Sequence, residues 1–213
     1  MIARWDVITI GNLSRNRYWG ENEETPVRPV LCTCTLLQGE GFHLLVDPSC
    51  AEESRMAAEL DRRTGLRLAD VDAVFLTHEH SDHHYGLRHF PGARWLAAEG
   101  VARAINAEGG YDRPVEAASA ILYDCVAVVP TPGHTPGHSS LAFECDAYSV
   151  LVAGDAVMTK DFWRERRPYF NAVDAELAAA TMNQIATIAE VVVPGHDNYL
   201  LVEVEELALE ARG

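Results

Sequence analysis

A dense group of polar side chains occupies one short stretch of the chain, "FLTHEHSDHHYGL" (residues 75–87). It contains His78, His80, Asp82 and His83 directly after a short apolar run. Imidazole and carboxylate groups are poor core material, but they are ligands of zinc and similar cations. His78 and His80 stand two residues apart, so both can face one ion, while Asp82 and His83 can face a second. The stretch therefore predicts half of a metal site.

Three later segments can complete this site, because each has an ionisable side chain just after an apolar run. His134 lies in "PTPGHTPGHSS", Asp155 in "LVAGDA" and His196 in "VVPGHD". In each segment a glycine directly precedes the candidate ligand, and glycine lets the backbone turn sharply beside a metal. Two cations about 3.5–4 Å apart can share a carboxylate and a hydroxide, which generates a nucleophile near neutral pH. We predict that these three residues join the cluster that begins at His78.

Rigid strands must position these loop residues, and the hydrophobic pattern predicts where the strands lie. Strands are predicted at residues 5–12, 28–38, 41–48, 72–77, 94–98, 125–131, 139–145, 149–155 and 191–196. Helices are predicted at residues 51–64, near 84–90, at 99–108, at 174–190 and at 200–212. The turn at residues 38–41 should join two strands as a hairpin, and Gly65 should end the first helix. Runs of strands separated by helices, in two similar halves, predict an α/β (α+β) fold with two sheets face to face and helices outside.

Composition narrows the class of protein. The 213 residues, 48% of them hydrophobic, suit one domain spanning 1–213 with a sizeable core. The net charge of −15 repels phosphate backbones, so nucleic-acid binding is not expected. No apolar run approaches the ~20 residues that span a bilayer, and the first residues have the pattern of a strand rather than a signal peptide. We expect no membrane association.

The cysteines indicate the compartment. Their number, five, is odd and most lie in strand-like settings, which favours a reducing, cytoplasmic environment. Cys32 and Cys34 point to one face of a strand, yet no second cysteine pair or nearby histidine would complete a tetrahedral site. We therefore expect both to be buried as small apolar side chains.

The order of the motifs, H-x-H-x-D-H, then PGHTPGH, then GD, then GH, resembles the metallo-β-lactamase-fold hydrolases. The resemblance extends from the first strand pair to His196. It implies a four-layer αββα sandwich with the site at one edge, between the two halves. It also implies two divalent metal ions, one bound by His78, His80 and His134 and the other by Asp82, His83 and His196, with Asp155 bridging both.

The same resemblance implies a dinuclear metal-dependent hydrolase that uses a metal-bridging hydroxide on a small ester-type substrate, a lactone or a thioester. Asp155 and Asp82 are the expected catalytic residues, with Asp82 or a metal-bound water protonating the leaving group. Zinc is the expected metal, although sites of this kind also accept Mn or Fe.

Two branches of that family are most similar to this chain. One comprises the N-acyl homoserine lactonases, in which a tyrosine three residues after the bridging aspartate polarises the substrate carbonyl. Here that position is Met158, which has no O–H to donate. The other comprises glyoxalase II-like thioesterases, which usually carry a C-terminal helical substrate domain. We expect no such domain in the 17 residues that follow His196.

Two other activities remain open. A persulfide dioxygenase-type oxygenase has a similar fold but binds a single iron, whereas seven candidate ligands favour two metals. A metal-dependent nuclease or phosphodiesterase is the other alternative, and the charge of −15 counts against it.

Weaker expectations concern residues around the cluster. Asp47 resembles the family's aspartate that supports the metal loop, and a turn-forming role before proline explains it equally well. Thr77 and Thr135 are expected to cap turns. Surface or packing roles are expected for His84 and His89, and a position at the start of a strand for His138.

The segment 159–172, "TKDFWRERRPYFNA", is predicted to be a loop that forms the substrate wall. Its arginines could meet a carboxylate or phosphate, and its aromatic side chains could meet an acyl chain. The residues concerned are Arg164, Arg166, Arg167, Phe162, Trp163, Tyr169 and Phe170. Exposed aromatic residues suit a homodimer contact equally well. A small-molecule substrate is the expected partner.

Overall fold

The computed structural model describes residues 1–202. Its first six strands form one sheet in chain order, antiparallel from the first strand to the third and parallel from the third to the sixth. The predicted hairpin is present, since Gly39 pairs with Phe42 across the turn. These strands are β1 (Ile2–Thr9), β2 (Cys34–Gly39), β3 (Phe42–Val46), β4 (Ala73–Leu76), β5 (Arg94–Ala97) and β6 (Glu116–Ala117).

The next six strands form a second sheet, again in chain order. Every neighbouring pair in it is antiparallel except its fourth and fifth strands, which are parallel. The strands are β7 (Ile121–Leu122), β8 (Val126–Pro130), β9 (Ser139–Cys145), β10 (Tyr148–Gly154), β11 (Val191–Pro194) and β12 (Leu200–Leu201).

Four helices connect or flank these strands, and parallel neighbours need such crossovers. The first helix ends at Gly65, as predicted, and the φ of 74° at this residue is the left-handed conformation that glycine adopts readily. The last of the four begins at Asp174, whose side chain accepts a hydrogen bond from the backbone N–H of Leu177. The helices are α1 (Glu53–Thr64), α2 (Glu99–Glu108), α3 (Lys160–Arg164) and α4 (Ala175–Ile188).

Alternating side chains of the strands divide the core into layers, because successive residues of a strand face opposite sides. Phe75 and Val152 belong to a buried cluster that both sheets share. Their neighbours face outward: Val74 packs in a cluster with residues of α1 and α2, and Leu151 in one with residues of α4. Helices therefore cover the outer faces of both sheets, and the predicted αββα sandwich is confirmed.

The structure corrects several predicted elements. The predicted helix near 84–90 is wrong: short 3-10 turns form at Ser81–His83 and Leu87–His89 instead. Gly86 lies between these turns and packs tightly, since a Cβ there would be 2.6 Å from the carbonyl oxygen of Cys50. This segment therefore packs closely against the backbone near Cys50 instead of forming a regular helix.

Two further corrections concern strand and helix limits. The strand predicted at 28–38 begins only at Cys34, because the N–H of Thr33 donates to the carbonyl of Gly195 in the other half of the molecule. The segment 159–172, predicted as a loop, contains α3. Leu200 and Leu201 pair with β11 rather than beginning a helix, and the rest of the helix predicted at 200–212 lies outside the described residues from 203 onward.

Within residues 1–202, no helix is both long enough and apolar enough to cross a bilayer.

Candidate metal centre

Strand ends from both sheets meet at one edge of the sandwich, and the candidate ligands lie just beyond them. His78 and Asp155 follow β4 and β10, and His134 and His196 lie beyond the ends of β8 and β11. The structure brings all seven predicted ligands together in two groups, with the ligand atoms of each group within 4.8 Å of one another. The first group is His78, His80, His134 and Asp155, and the second is Asp82, His83 and His196.

In the first group, three imidazole nitrogens and a carboxylate oxygen converge. His80 Nδ1 is 3.0 Å from His78 Nε2 and 3.0 Å from His134 Nε2. Asp155 Oδ2 lies 3.2 Å from His134 Nε2 and 3.7 Å from His78 Nε2. A tetrahedral ion with bonds of about 2.0–2.1 Å has ligand atoms about 3.3–3.4 Å apart. The observed separations are of this size.

The second group shares Asp155 with the first through the other carboxylate oxygen. Asp155 Oδ1 lies 3.1 Å from His83 Nε2 and 3.2 Å from His196 Nε2. Asp82 Oδ2 completes the group at 3.6 Å from His196 Nε2 and 3.9 Å from His83 Nε2. The two oxygens of one carboxylate therefore face two separate clusters of donors.

Unpartnered atoms test whether this arrangement fits cations. His83 Nε2 and Asp155 Oδ1 are buried and have no hydrogen-bond partner among the described residues. Buried polar atoms of a folded protein are normally satisfied, and leaving one without a partner costs about 1–3 kcal/mol. Acceptor atoms that converge without donors are what bound cations require. The donor set thus fits two divalent cations that share Asp155.

Asp47, at the end of β3, orients two of the histidines. Its Oδ2 accepts hydrogen bonds from His83 Nδ1 at 2.8 Å and from the hydroxyl of Thr77 at 2.7 Å. Because that hydroxyl donates to Asp47, it can only accept from His78 Nδ1, 3.1 Å away. Both imidazoles therefore present Nε2 to the cluster, as metal-binding histidines usually do. Asp47 therefore supports the candidate ligands from behind, which is one of the two roles expected for it. Thr77 was expected to cap a turn, but its hydroxyl also orients His78.

His196 is oriented by a different partner. Its Nδ1 is 2.9 Å from the carbonyl oxygen of Leu31, which can only accept a hydrogen bond. The proton therefore lies on Nδ1, and Nε2 faces Asp155. Leu31 belongs to the β1–β2 loop, residues 10–33, so this loop supports the site although it contributes no ligand.

Two glycines keep the strand ends close together. A Cβ on Gly195 would overlap Asp155 Oδ1. A Cβ on Gly154 would approach the hydroxyl of Thr77 to 2.6 Å, and its φ of 51° lies in the left-handed region that favours glycine. The glycines that precede the ligands thus serve close approach between the two halves of the site.

Burial and neighbouring charges shift the pKa values of these groups in different directions. Burial lowers the pKa of His134 to about 4, against the opposing effect of Asp155, and lowers that of His78 well below its ordinary value. Burial acts to raise the pKa of Asp155, but His196 and His83 outweigh it and hold the pKa well below the usual range. Burial also acts to lower the pKa of His83 and His196, but neighbouring acidic groups, Asp155 among them, outweigh it and raise both. Neutral His78 and His134 are ready to bind a cation, whereas a cation at the second group displaces protons from His83 and His196.

The other polar candidates lie around the cluster rather than in it. His84 contacts the hydroxyl of Tyr111 at 2.6 Å, and His89 contacts the carbonyl of Cys50. His138 directly precedes β9 as predicted, but it is fully buried, with its ring 5.1 Å from that of His78. Thr135 donates to Glu79. Cys32 and Cys34 are buried, as expected.

A cavity of about 270 Å³ opens onto the ligands, and its wall differs from the prediction. From segment 159–172 only Tyr169, Phe170 and Asn171 line it. The rings of Phe162 and Trp163 are instead buried in packing, so their predicted place in the wall is wrong. The side chain of Arg164 is 73% exposed and lies 3.9 Å from Asp161.

The opposite wall comes from residues that the sequence did not reveal. Leu13, Ser14 and Val30 of the β1–β2 loop line the cavity together with Met158. Residues 13–27 of the loop have no hydrophobic period, residues 28–33 were predicted to be strand, and neither part carries a catalytic motif. Its proximity to the ligands results from the contacts of Leu31 with His196 and of Thr33 with Gly195.

Fold and sequence together place the chain in one protein superfamily. Residues 27–196 match the model of the Metallo-beta-lactamase superfamily, and the chain belongs to this superfamily.

Individual relatives share less than a third of their aligned residues with this chain. The chain is 27% identical to an N-acyl homoserine lactonase of Bacillus cereus, over 89% of this chain and 85% of the relative. It is 29% identical to metallo-beta-lactamase domain-containing protein 1 of Xenopus laevis, over 76% of this chain and 69% of that protein.

Solved structures agree on the fold. A metallo-beta-lactamase of Thermotoga maritima superposes with a TM-score of 0.71 at 17% identity, covering 94% of this chain and all of the other (100%). The AiiA protein of B. thuringiensis, solved with N-decanoyl-L-homoserine at its active site, gives a TM-score of 0.70 at 23% identity, covering 92% and 94% of the two chains.

Proposed function

We propose that this protein hydrolyses small ester-type substrates, lactones or thioesters, with two divalent cations held by the seven clustered residues. The observation that carries the proposal is Asp155, whose two oxygens each lie 3.1–3.2 Å from imidazole nitrogens of different groups. The relation to N-acyl homoserine lactonases supports the ester class. Zinc is the proposed metal, with Mn or Fe as alternatives that His/Asp donor sets accept.

A bound pair of such cations supplies Lewis acidity and lowers the pKa of water toward neutrality. Asp155 holds the two donor groups in register at the floor of the cavity. The side chain of Asp82 is 15% exposed and lines the cavity, so it can exchange a proton with a substrate bound there. Both are the proposed catalytic residues, one for alignment and one for proton delivery.

The cavity wall favours a neutral, partly apolar acyl group near the reacting carbon. Leu13, Val30 and Met158 present apolar side chains there. Met158 is buried and offers no hydrogen bond where the related lactonases have tyrosine. Orientation of the scissile carbonyl therefore relies on the site itself and on the shape of the cavity.

Proton release tests this proposal directly. Zinc-loaded protein is mixed with a medium-chain N-acyl homoserine lactone and, in parallel, with a butyryl thioester, and acid release is followed. Metal-dependent release that disappears in Asp155→Ala and survives in Asp161→Ala is the expected result. Absence of release from either substrate would reject ester hydrolysis of these two kinds.

The alternative of an iron oxygenase makes a different prediction about metal content. One iron per chain would leave Asp82, His83 and His196 without a function as ligands, although they lie within 4.8 Å of one another. Metal analysis after purification should find two ions per chain if the hydrolase proposal is correct. One iron together with oxygen consumption on a persulfide would favour the oxygenase.

A further inference from the structure

Two segments that adjoin lining residues of the cavity carry less negative charge than the chain as a whole. Residues 160–167 carry four cationic and two acidic side chains, although the chain as a whole has a net charge of −15. Residues 15–28, between the lining residues Ser14 and Val30, carry three of each sign. Local charge of this sign attracts anionic ligands even when the whole molecule is acidic.

Several of these cations are already paired. Arg28 forms an ion pair with Glu21, Arg17 lies 3.3 Å from Glu23, and Arg164 lies 3.9 Å from Asp161. Paired surface arginines have little left to offer a ligand, since their charge is partly neutralised.

Arg15 differs from them. Its guanidinium carbon lies 4.3 Å from the centre of the Phe170 ring, and one terminal nitrogen donates to the carbonyl of Glu24. Its Nε is buried and has no hydrogen-bond partner among residues 1–202. Arginine has five N–H donors and no acceptor, so Arg15 has donors to spare. Among the described residues, no carboxylate forms an ion pair with it.

The backbone of Arg15 is fixed beside the cavity. The hydroxyl of Tyr169 donates to the Arg15 carbonyl at 2.9 Å, and the next residue, Asn16, donates its N–H to Glu21 at 2.7 Å. Ser14, Tyr169 and Phe170, which surround Arg15, all line the cavity. A cation that is stacked on an aromatic ring and anchored at its backbone is pre-organised for a ligand.

We propose that Arg15 binds a carboxylate of the substrate, so that the substrate class is an ester or thioester with a carboxylate remote from the scissile bond. This inference rests on the proposed hydrolase function. Guanidinium is the side chain best suited to carboxylate because its planar N–H groups match the two oxygens. The apolar wall then contacts the acyl part, and the mouth contacts the charged end.

A matched pair of thioesters tests the inference: the butyryl thioester of 3-mercaptopropionate and that of propanethiol, which lacks the carboxylate. Thiol release by the zinc-loaded protein should favour the charged thioester by about tenfold to a hundredfold in kcat/KM, as expected for a hydrogen bond to a charged group. In Arg15→Met this preference should disappear, and in Arg15→Lys it should be reduced. The control variant Arg164→Met, on the same rim, should keep it.

The ratio of the two thioesters within one variant is the decisive quantity, because a general loss of folding or metal lowers both rates together. An unchanged ratio in Arg15→Met would overturn the inference and leave Arg15 a structural residue.

Binding gives a second readout that needs no turnover. Calorimetry measures the affinity for 3-(butylsulfanyl)propanoate and for its neutral amide. The two ligands differ only in the carboxylate, and neither has a scissile bond. Tighter binding of the carboxylate that depends on Arg15 supports the inference even if no ester is hydrolysed, in which case only the proposed function fails. Carboxylate binding that is equal in the native protein and Arg15→Met would point to the metal centre and reject the role of Arg15.

Discussion

The floor and the rim of the cavity are built in different ways. The floor, formed by the metal-site residues with Asp47 and Thr77, is buried except for the partly exposed His80 and Asp82, and short polar contacts join its side chains. The rim, formed by the β1–β2 loop and segment 159–172, is held by surface ion pairs, by ring contacts and by the hydroxyl of Tyr169.

Because of this difference, we expect the floor to determine whether the reaction occurs and the rim to determine which substrate is preferred. Buried groups that lose a partner cannot turn to water, so changes in the floor should have large effects. Exposed ion pairs contribute little because water and salt screen them, so changes at the rim should alter which substrate is used more than whether one is used.

The largest effect is expected for Asp155→Ala. Asp155 lies within 3.1–3.2 Å of imidazole nitrogens in both donor groups, so its loss removes the only carboxylate shared by them among the described residues. Metal content should fall below two ions per chain and turnover by more than about a hundredfold, since loss of even an outer partner costs about 10–100-fold. Elemental analysis and the thiol-release assay measure both quantities.

The control for this variant is Asp161→Ala, at a partly exposed carboxylate beside Arg164 on the rim. It should keep two metals and most of its activity. Native metal content and full turnover in Asp155→Ala would show that the floor is not a shared two-metal site.

The next largest effect is expected for Asp47→Asn. An amide nitrogen facing His83 Nδ1 would replace an acceptor by a donor, so the orientation of His83 would be lost. Metal affinity should fall by about 10–100-fold. Competition with a fluorescent chelator measures that change.

Asp124→Asn is a closely matched control. Asp124 has a φ of 58°, close to the 51° of Asp47, but its side chain is exposed. The same substitution in the same backbone conformation should leave metal affinity unchanged. Equal losses in both variants would mean that backbone conformation, not the contact with His83, is responsible.

The contrast between floor and rim also explains what the sequence could predict. The seven ligand candidates were readable because metal binding requires particular residue types and because each follows a strand. The layers were readable from the alternation of apolar residues, as in Val74 and Phe75.

The contacts of the rim could not be predicted from the sequence, because they join segments far apart in the chain and follow no periodic pattern. Tyr169 and Arg15 are 154 residues apart, and no pattern in either segment predicts the hydrogen bond between them. Phe162 and Trp163 looked like wall residues because aromatic side chains suit both pockets and cores. Their burial depends on the short helix α3, which five residues of mixed character do not predict.

A pH-dependent effect is expected at His138, just behind His78. Burial, together with His134, lowers the pKa of His138 to about 3 from an ordinary value of 6.5. The unfolded chain therefore binds a proton that the folded chain refuses, so the stability that this residue contributes is present above pH 6.5 and is lost as pH falls toward 3.

The variant His138→Phe should remove this dependence in the metal-free protein. The native protein's advantage in free energy of unfolding over the variant should shrink by about 1.4 kcal/mol per pH unit between pH 6 and pH 4. Urea unfolding at several pH values measures the difference. A difference that stays constant with pH would show that His138 is protonated equally in both states.

The smallest effect is expected at the rim, for Tyr169→Phe. The variant keeps the ring that lines the cavity and removes only the hydroxyl that donates to the Arg15 carbonyl. The free energy of unfolding should fall by about 0.5–1.5 kcal/mol, the usual net value of one hydrogen bond. KM for the charged thioester should rise while kcat stays nearly constant, because Arg15 loses its anchor but the floor is untouched. Tyr148→Phe, at an exposed hairpin position, should change neither quantity. A fall in kcat with constant KM would place Tyr169 with the chemistry of the floor and remove the distinction between the two regions.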